Sequence, residues 1–152
     1  MDTAGLGVIA YALSLNGSRY RYGGTSPSAG FDCSGFVQHV YGRHGVALPR
    51  DAHAMADSLP DVRRDAAQPG DLVFFKISRQ AYSHVGIYLG GRRFIHATSR
   101  RTGDVRVSSL DLPYWRTRLA GIRRPAVAAR LPAAEPRQLA WSRTKVAGFI
   151  VP

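Results

Sequence analysis

Two kinds of apolar pattern divide the chain. Before residue 60 the apolar positions recur at helical spacing; from residue 72 to residue 123 they come in short runs broken by polar residues. The first kind predicts a helix over 4–16, with Leu6, Ile9, Leu13 and Tyr11 at helical spacing and Gly17 as the stop. A second helix is expected over 33–44, with Phe36, Val37, Val40 and Tyr41 inward and Gly45 closing it. A short third one over 51–58 starts from Asp51. Between the first two lies a loop rich in Ser, Pro and Gly, residues 25–30. After the turn Gln68-Pro69-Gly70-Asp71, strands are predicted over 72–76, 84–89, 93–98 and 105–108, then a helical turn over 110–115 and a last strand over 118–123. Helices first and strands later give an α+β fold, with N-terminal helices packed on a C-terminal antiparallel sheet. Residues 1–124 make one domain. Residues 125–152, rich in Pro and Ala and basic, read as a tail without its own core.

Composition narrows the function. The 152 residues carry a formal net charge of +11, and most of the 21 basic residues precede residue 125, so the body itself is basic. Such a surface is drawn to polyanions. Anionic wall polymer and the membrane surface are the expected partners. Nucleic acid is not expected, because no recognition motif or zinc-finger spacing is present. A single Cys excludes an intramolecular disulfide. No Cys pair or H-E-x-x-H spacing suggests a metal site, and no cofactor is expected. The start, Met1-Asp2-Thr3-Ala4, lacks the features of a signal peptide.

The one cysteine sits in a telling place. In Gly30-Phe31-Asp32-Cys33-Ser34-Gly35, Asp32 stands where a helix cap belongs and Cys33 opens the first turn. Unpaired N–H groups and the helix dipole there favour a thiolate. A lone Cys is otherwise a small buried hydrophobe. A nucleophilic Cys needs a base. His39, His44 and His53 lie on or beside helices, whereas His84 and His96 fall within adjacent predicted strands. Side chains alternate along a strand, so parity decides whether these two can meet. A simple two-residue Gly90-Gly91 turn would put them on opposite faces. An odd loop, such as Leu89-Gly90-Gly91, would pair His84 directly with His96. If they work together, the simple turn is excluded. Cys33 would then be the nucleophile, His84 its base, and His96 the group that fixes the tautomer of His84.

These segments stand in a recognisable order. Y-R-Y-G-G from Tyr20, F-D-C-S-G-F-V from Phe31, L-P-R ending at Arg50, P-G-D-L-V-F-F from Pro69, S-H-V-G-I-Y-L-G from Ser83 and F-I-H-A from Phe94 together resemble the NlpC/p-sixty family of cell-wall cysteine peptidases. The likeness runs from about Tyr20 to Arg124, and Pro113-Tyr114-Trp115 fits it too. It implies a papain-like fold and hydrolysis of stem-peptide bonds of peptidoglycan through a thioester. The D,D cross-link to diaminopimelate is favoured and the D-glutamyl–diaminopimelate bond comes next. It assigns Cys33, His84 and His96 as catalytic. It places the Tyr20 hydroxyl at the oxyanion site, and Asp32, Ser34, Arg50 and Ser83 around the substrate. The protein is expected to act as a monomer, exported to the periplasm or cell envelope. A trimmed mature form, a delivered toxin or a phage-tail lysin would each explain the missing signal. After Arg50 the chain departs from its relatives with Asp51-Ala52-His53-Ala54-Met55, where Asp51 and Met55 are expected to alter the groove floor. Two other functions remain open: an acyltransferase or amidase using the same Cys–His pair on a lipid or small amide, and a basic wall-polymer-binding module that does not cut.

Overall fold

The computed structural model describes residues 3–79, 82–98 and 103–125. Its helices are α1 (Thr3–Ser14), α2 (Cys33–Gly42), α3 (Ala52–Ser58) and the single turn α4 (Pro113–Arg116). A small hairpin, β1 (Thr25–Ser26) and β2 (Gly30–Phe31), precedes α2. It occupies the stretch expected to be loop. The main sheet contains β3 (Leu72–Phe75), β4 (His84–Gly90), β5 (Arg93–Ala97), β6 (Val105–Ser109) and β7 (Leu119–Arg123), all antiparallel in the order β6-β5-β4-β3-β7. The expected α+β, papain-like arrangement is the one observed. The proposed tail beyond residue 125 lies outside the described residues.

The sheet has two buried faces. Leu72, Phe74, Val85, Ile87, Ile95 and Ala97 point toward the helices and share a core with Phe36, Val37, Val40 and Tyr41 of α2. Val73, Phe75, Phe94 and Ile122 point the other way, where Leu110 and Trp115 cover them. Strands buried on both faces show continuous apolar runs rather than alternation, which is how Leu-Val-Phe-Phe reads.

Two expectations about packing are corrected. Helix α1 turns Val8 and Ala12 inward, with Leu15 buried just after its end, and leaves Leu6 and Leu13 about half exposed (51% and 43%). Its small-residue side docks because the backbones come close: a Cβ at Gly70 would lie 3.6 Å from the Gly5 Cα. Close approach of small residues here outweighs burial of the larger ones. Second, Met55 is wholly buried in the core and Asp51 caps α3, its Oδ1 accepting from the Ala54 N–H at 2.8 Å. Met55 thus belongs to the core and not to a surface groove.

The β4–β5 hairpin solves the parity problem by another route. Tyr88 pairs with Phe94 and Gly90 with Arg93, so Leu89 is an extra residue, a bulge. The turn itself is Gly91-Arg92, both with positive φ (59° and 64°), the backbone of a tight two-residue hairpin. Such a turn alone would separate the histidines. The bulge shifts β4 by one residue and returns His84 and His96 to one face. The expected odd loop and direct pairing are therefore replaced by a bulge and a diagonal contact.

Candidate active site

The loop before α2 delivers Cys33. Residues 17–20 run along the β6 edge, with the Gly17 N–H on the Val105 carbonyl (2.8 Å) and the Tyr20 N–H on that of Gly103 (2.7 Å). Arg19 and Arg21 then bracket Phe31 through backbone bonds of 3.0 and 2.9 Å. Asp32 caps the helix as expected: Oδ1 accepts the Gly35 N–H at 2.7 Å and Oδ2 the Gly23 N–H at 3.1 Å. Arg50 clasps both carboxylate oxygens, Nη1 to Oδ1 at 3.1 Å and Nη2 to Oδ2 at 2.8 Å, and donates from Nη1 to Ser34 Oγ at 2.8 Å. This planar two-point grip is particular to arginine. A Cβ on Gly35 would stand 2.0 Å from the Gly24 carbonyl oxygen, so the loop closes over the first turn only because residue 35 is glycine.

The histidines lie in a dry, aromatic place. His84 Nε2 and His96 Nδ1 are 2.8 Å apart, and His96 Nε2 is 2.9 Å from Ser108 Oγ. Gly86 makes the diagonal contact possible, since a Cβ there would fall 3.0 Å from His96 Cβ and 2.9 Å from the Phe94 ring. Trp115 stacks over His84 (centroids 5.6 Å apart, planes 24° apart) and stands edge-on to His96 (5.0 Å, 87°). Phe75 and Phe94 complete the wall around Trp115.

Cys33 lies where the two regions meet. The backbone N–H of Val85, next to His84, and that of Ser34 both favour its thiolate. Burial nevertheless dominates and pushes the thiol up to about 11; Asp32 adds to the rise and Arg50 opposes it. Burial thus opposes the thiolate that the helix start favours. Burial also pulls His84 down to about 4. It holds His96 well below the ordinary histidine range, with His84 and Arg106 pushing the same way. Burial thus favours the uncharged form of the thiol and of both imidazoles. No hydrogen bond joins Cys33 to His84 in this structure, and His84 Nδ1 is the ring nitrogen that His96 does not engage.

The profile of the NlpC/P60 family matches residues 17–124. The chain belongs to the NlpC/P60 family. It is 40% identical over 124 residues to the gamma-DL-glutamyl hydrolase of Bacillus subtilis (strain 168), covering 80% of this chain and 30% of that protein. It is 40% identical over 109 residues to the murein DD-endopeptidase MepS/murein LD-carboxypeptidase of Escherichia coli (strain K12), covering 71% and 56%. A crystal structure of an NLP/P60 protein similar to lipoprotein, from Staphylococcus aureus, superposes with a TM-score of 0.74 at 37% identity, covering 82% of this chain and 42% of that one. The chain thus spans between about a third and about half the length of these relatives.

Within this NlpC/P60 domain the remaining candidates fall in different places. Tyr20 is partly buried against the helical core and its backbone bridges to Phe31, two residues before Cys33. Ser83 Oγ accepts the N–H groups of Ile77 (2.8 Å) and Ser78 (3.1 Å), which ties together the β3–β4 connection. His39 bonds the Tyr11 hydroxyl, His44 the Val40 carbonyl, and His53 pairs with Asp57. Among the described residues no group of three His, Cys, Asp or Glu is placed to hold a metal ion, and no helix is long and apolar enough to cross a membrane. Ser108, Gly86 and the stacking of Trp115 were not anticipated from sequence. For Ser108 a signal existed: alternation along β6 places it on the face that β5 gives to His96.

Proposed function

We propose that this domain is a cysteine endopeptidase that cuts stem peptides of peptidoglycan. The observation that carries the reading is the relay His84–His96, held at 2.8 Å on one sheet face, together with the N–H of Val85, the residue after His84, directed at Cys33. Cys33 Sγ attacks the scissile carbonyl while its proton passes to His84 Nδ1. The tetrahedral oxyanion is held by the Cys33 N–H, with the Tyr20 hydroxyl as a second donor. Collapse breaks the C–N bond, and the leaving amine takes the proton from His84. Water, deprotonated by His84, then opens the thioester and regenerates the thiol. The neutral imidazole brings an available lone pair, and substrate and oxyanion contacts must offset the uphill transfer of a proton from a thiol raised by burial.

Asp32, Ser34 and Arg50 act by fixing the first turn of α2, so that Cys33 cannot drift; one planar grip serves all three. The bond proposed first is the D,D cross-link to diaminopimelate, with the D-glutamyl–diaminopimelate bond second. The net charge of +11 supports retention on anionic wall polymer, outside the cytoplasmic membrane, where this substrate lies.

The test is a digest of purified diaminopimelate-type peptidoglycan, with fragments identified by mass spectrometry and Cys33→Ala run alongside. Conversion of cross-linked dimers to monomers, absent with Cys33→Ala, is expected. Short stems ending in D-glutamate would move the bond and keep the enzyme class. Intact peptidoglycan after incubation with the folded parent would overturn the reading.

A further inference from the structure

Two histidines in series leave one question that neither can answer alone: which ring nitrogens carry the protons. Each neutral imidazole has one N–H. The bonds His84 Nε2···His96 Nδ1 (2.8 Å) and His96 Nε2···Ser108 Oγ (2.9 Å) therefore allow only two patterns. In the first, His96 Nε2–H donates to Ser108, His84 Nε2–H donates to His96, and His84 Nδ1 is bare. In the second every donor is reversed, so Nδ1 of His84 already holds a proton and cannot take another. The far end of the chain thus decides whether the near end can act as a base.

We propose that Ser108 is a positioning residue: its hydroxyl oxygen accepts the His96 Nε2–H and so holds His84 in the tautomer whose Nδ1 is free to receive the Cys33 proton. The assignment rests on the reading of His84 as the base. Three observations carry it. His96 is fully buried, so its Nε2–H has no water to turn to. An unpaired buried donor is costly, which makes the acceptor decisive. Ser108 itself is only partly buried, so its own O–H can point to solvent while its oxygen accepts. Strand geometry then keeps the distance fixed. Arg93 pairs with Ser109, Phe94 with Ser108 and His96 with Arg106, so β6 is locked in register beside the histidine. Removing the Ser108 oxygen leaves His96 better off with its proton on Nδ1, and that switch forces His84 into the unproductive form.

The experiment is a two-bond proton–nitrogen correlation spectrum of the 15N-labelled histidines at pH 7, which needs no substrate. The parent protein should show both His84 and His96 protonated on Nε2. Ser108→Ala should move both rings toward the Nδ1–H form. It should lower kcat on cross-linked muropeptide by about 10- to 100-fold with KM nearly unchanged. Ser108→Thr, which keeps the hydroxyl, should restore tautomer and rate together. A parent spectrum with His84 protonated on Nδ1 would overturn the proposal. So would Ser108→Ala with unchanged tautomers, whether or not its activity falls. If the protein instead proves inactive on peptidoglycan, the proposed function fails while the tautomer shift still decides the role of Ser108.

Discussion

The cysteine and the histidines are held by opposite means. Around Cys33 the grip is polar: a capping carboxylate, a two-point arginine and a serine hydroxyl, with the Arg50 side chain 40% exposed. Around His84 it is aromatic and dry, with Trp115, Phe75 and Phe94 as walls and a single file of hydrogen bonds running to Ser108. The first arrangement fixes a position. The second fixes a position and also an ionisation state, because removing water penalises the imidazolium. Damage to the polar side should therefore show as lost stability and misplacement. Damage to the aromatic side should show as a changed pKa.

The largest effect expected is on the base itself. His84→Ala should reduce peptidase turnover by at least about 10³-fold while the fold persists, checked by kcat and by circular dichroism. Next comes the acid limb of stability. Unfolded histidine takes up a proton below about pH 6.5, whereas folded His84 refuses it until about pH 4. Stability is then full above about 6.5 and falls as the pH drops toward 4, by about 3 kcal/mol from this residue. Cys33 works at the other end: its thiol, raised to about 11, leaves stability intact at neutral pH and lowers it as the pH climbs through that value. Urea unfolding from pH 4 to pH 8 checks the acid limb, and a flat profile would contradict it.

On the polar side, Asp32→Ala removes the cap and strands Arg50, which should cost about 2 kcal/mol. Arg50→Lys keeps the charge and loses the two-point grip, and should cost less, about 0.5–1 kcal/mol. Both are read from denaturant midpoints. If the two losses come out equal, the two-point geometry rather than the charge carries the clasp. Trp115→Ala sharpens the contrast from the aromatic side: admitting water should raise the His84 pKa toward its ordinary value, as followed by histidine proton chemical shifts.

Much of this arrangement was legible in the sequence, for stateable reasons. The strands showed because Leu72 to Phe75 and His84 to Leu89 are apolar runs set off by turn residues, and Asp32 showed as a cap because cap chemistry is local. Parity along β4 and β5 framed the right question about His84 and His96. The answer, a bulge at Leu89 beside a Gly91-Arg92 turn, depends on how two strands close and has no local signature. Helix α1 misled because Leu6 and Leu13 are larger than the Val8 and Ala12 that dock. The helix-start N–H groups that favour a thiolate are visible in sequence, while the burial that opposes them is made by distant segments. Ser108 and Trp115 reach the site from residues far along the chain, and only the assembled sheet brings them there.

The central claim is that Cys33 becomes acylated. The direct measurement is intact-protein mass spectrometry after rapid acid quench with a cross-linked muropeptide, followed by peptide mapping. A transient mass increase equal to the acyl donor stem, mapped to the peptide containing Cys33 and absent in Cys33→Ala, is the predicted result. Turnover without any such adduct on the parent, or turnover that persists in Cys33→Ala, would contradict the account.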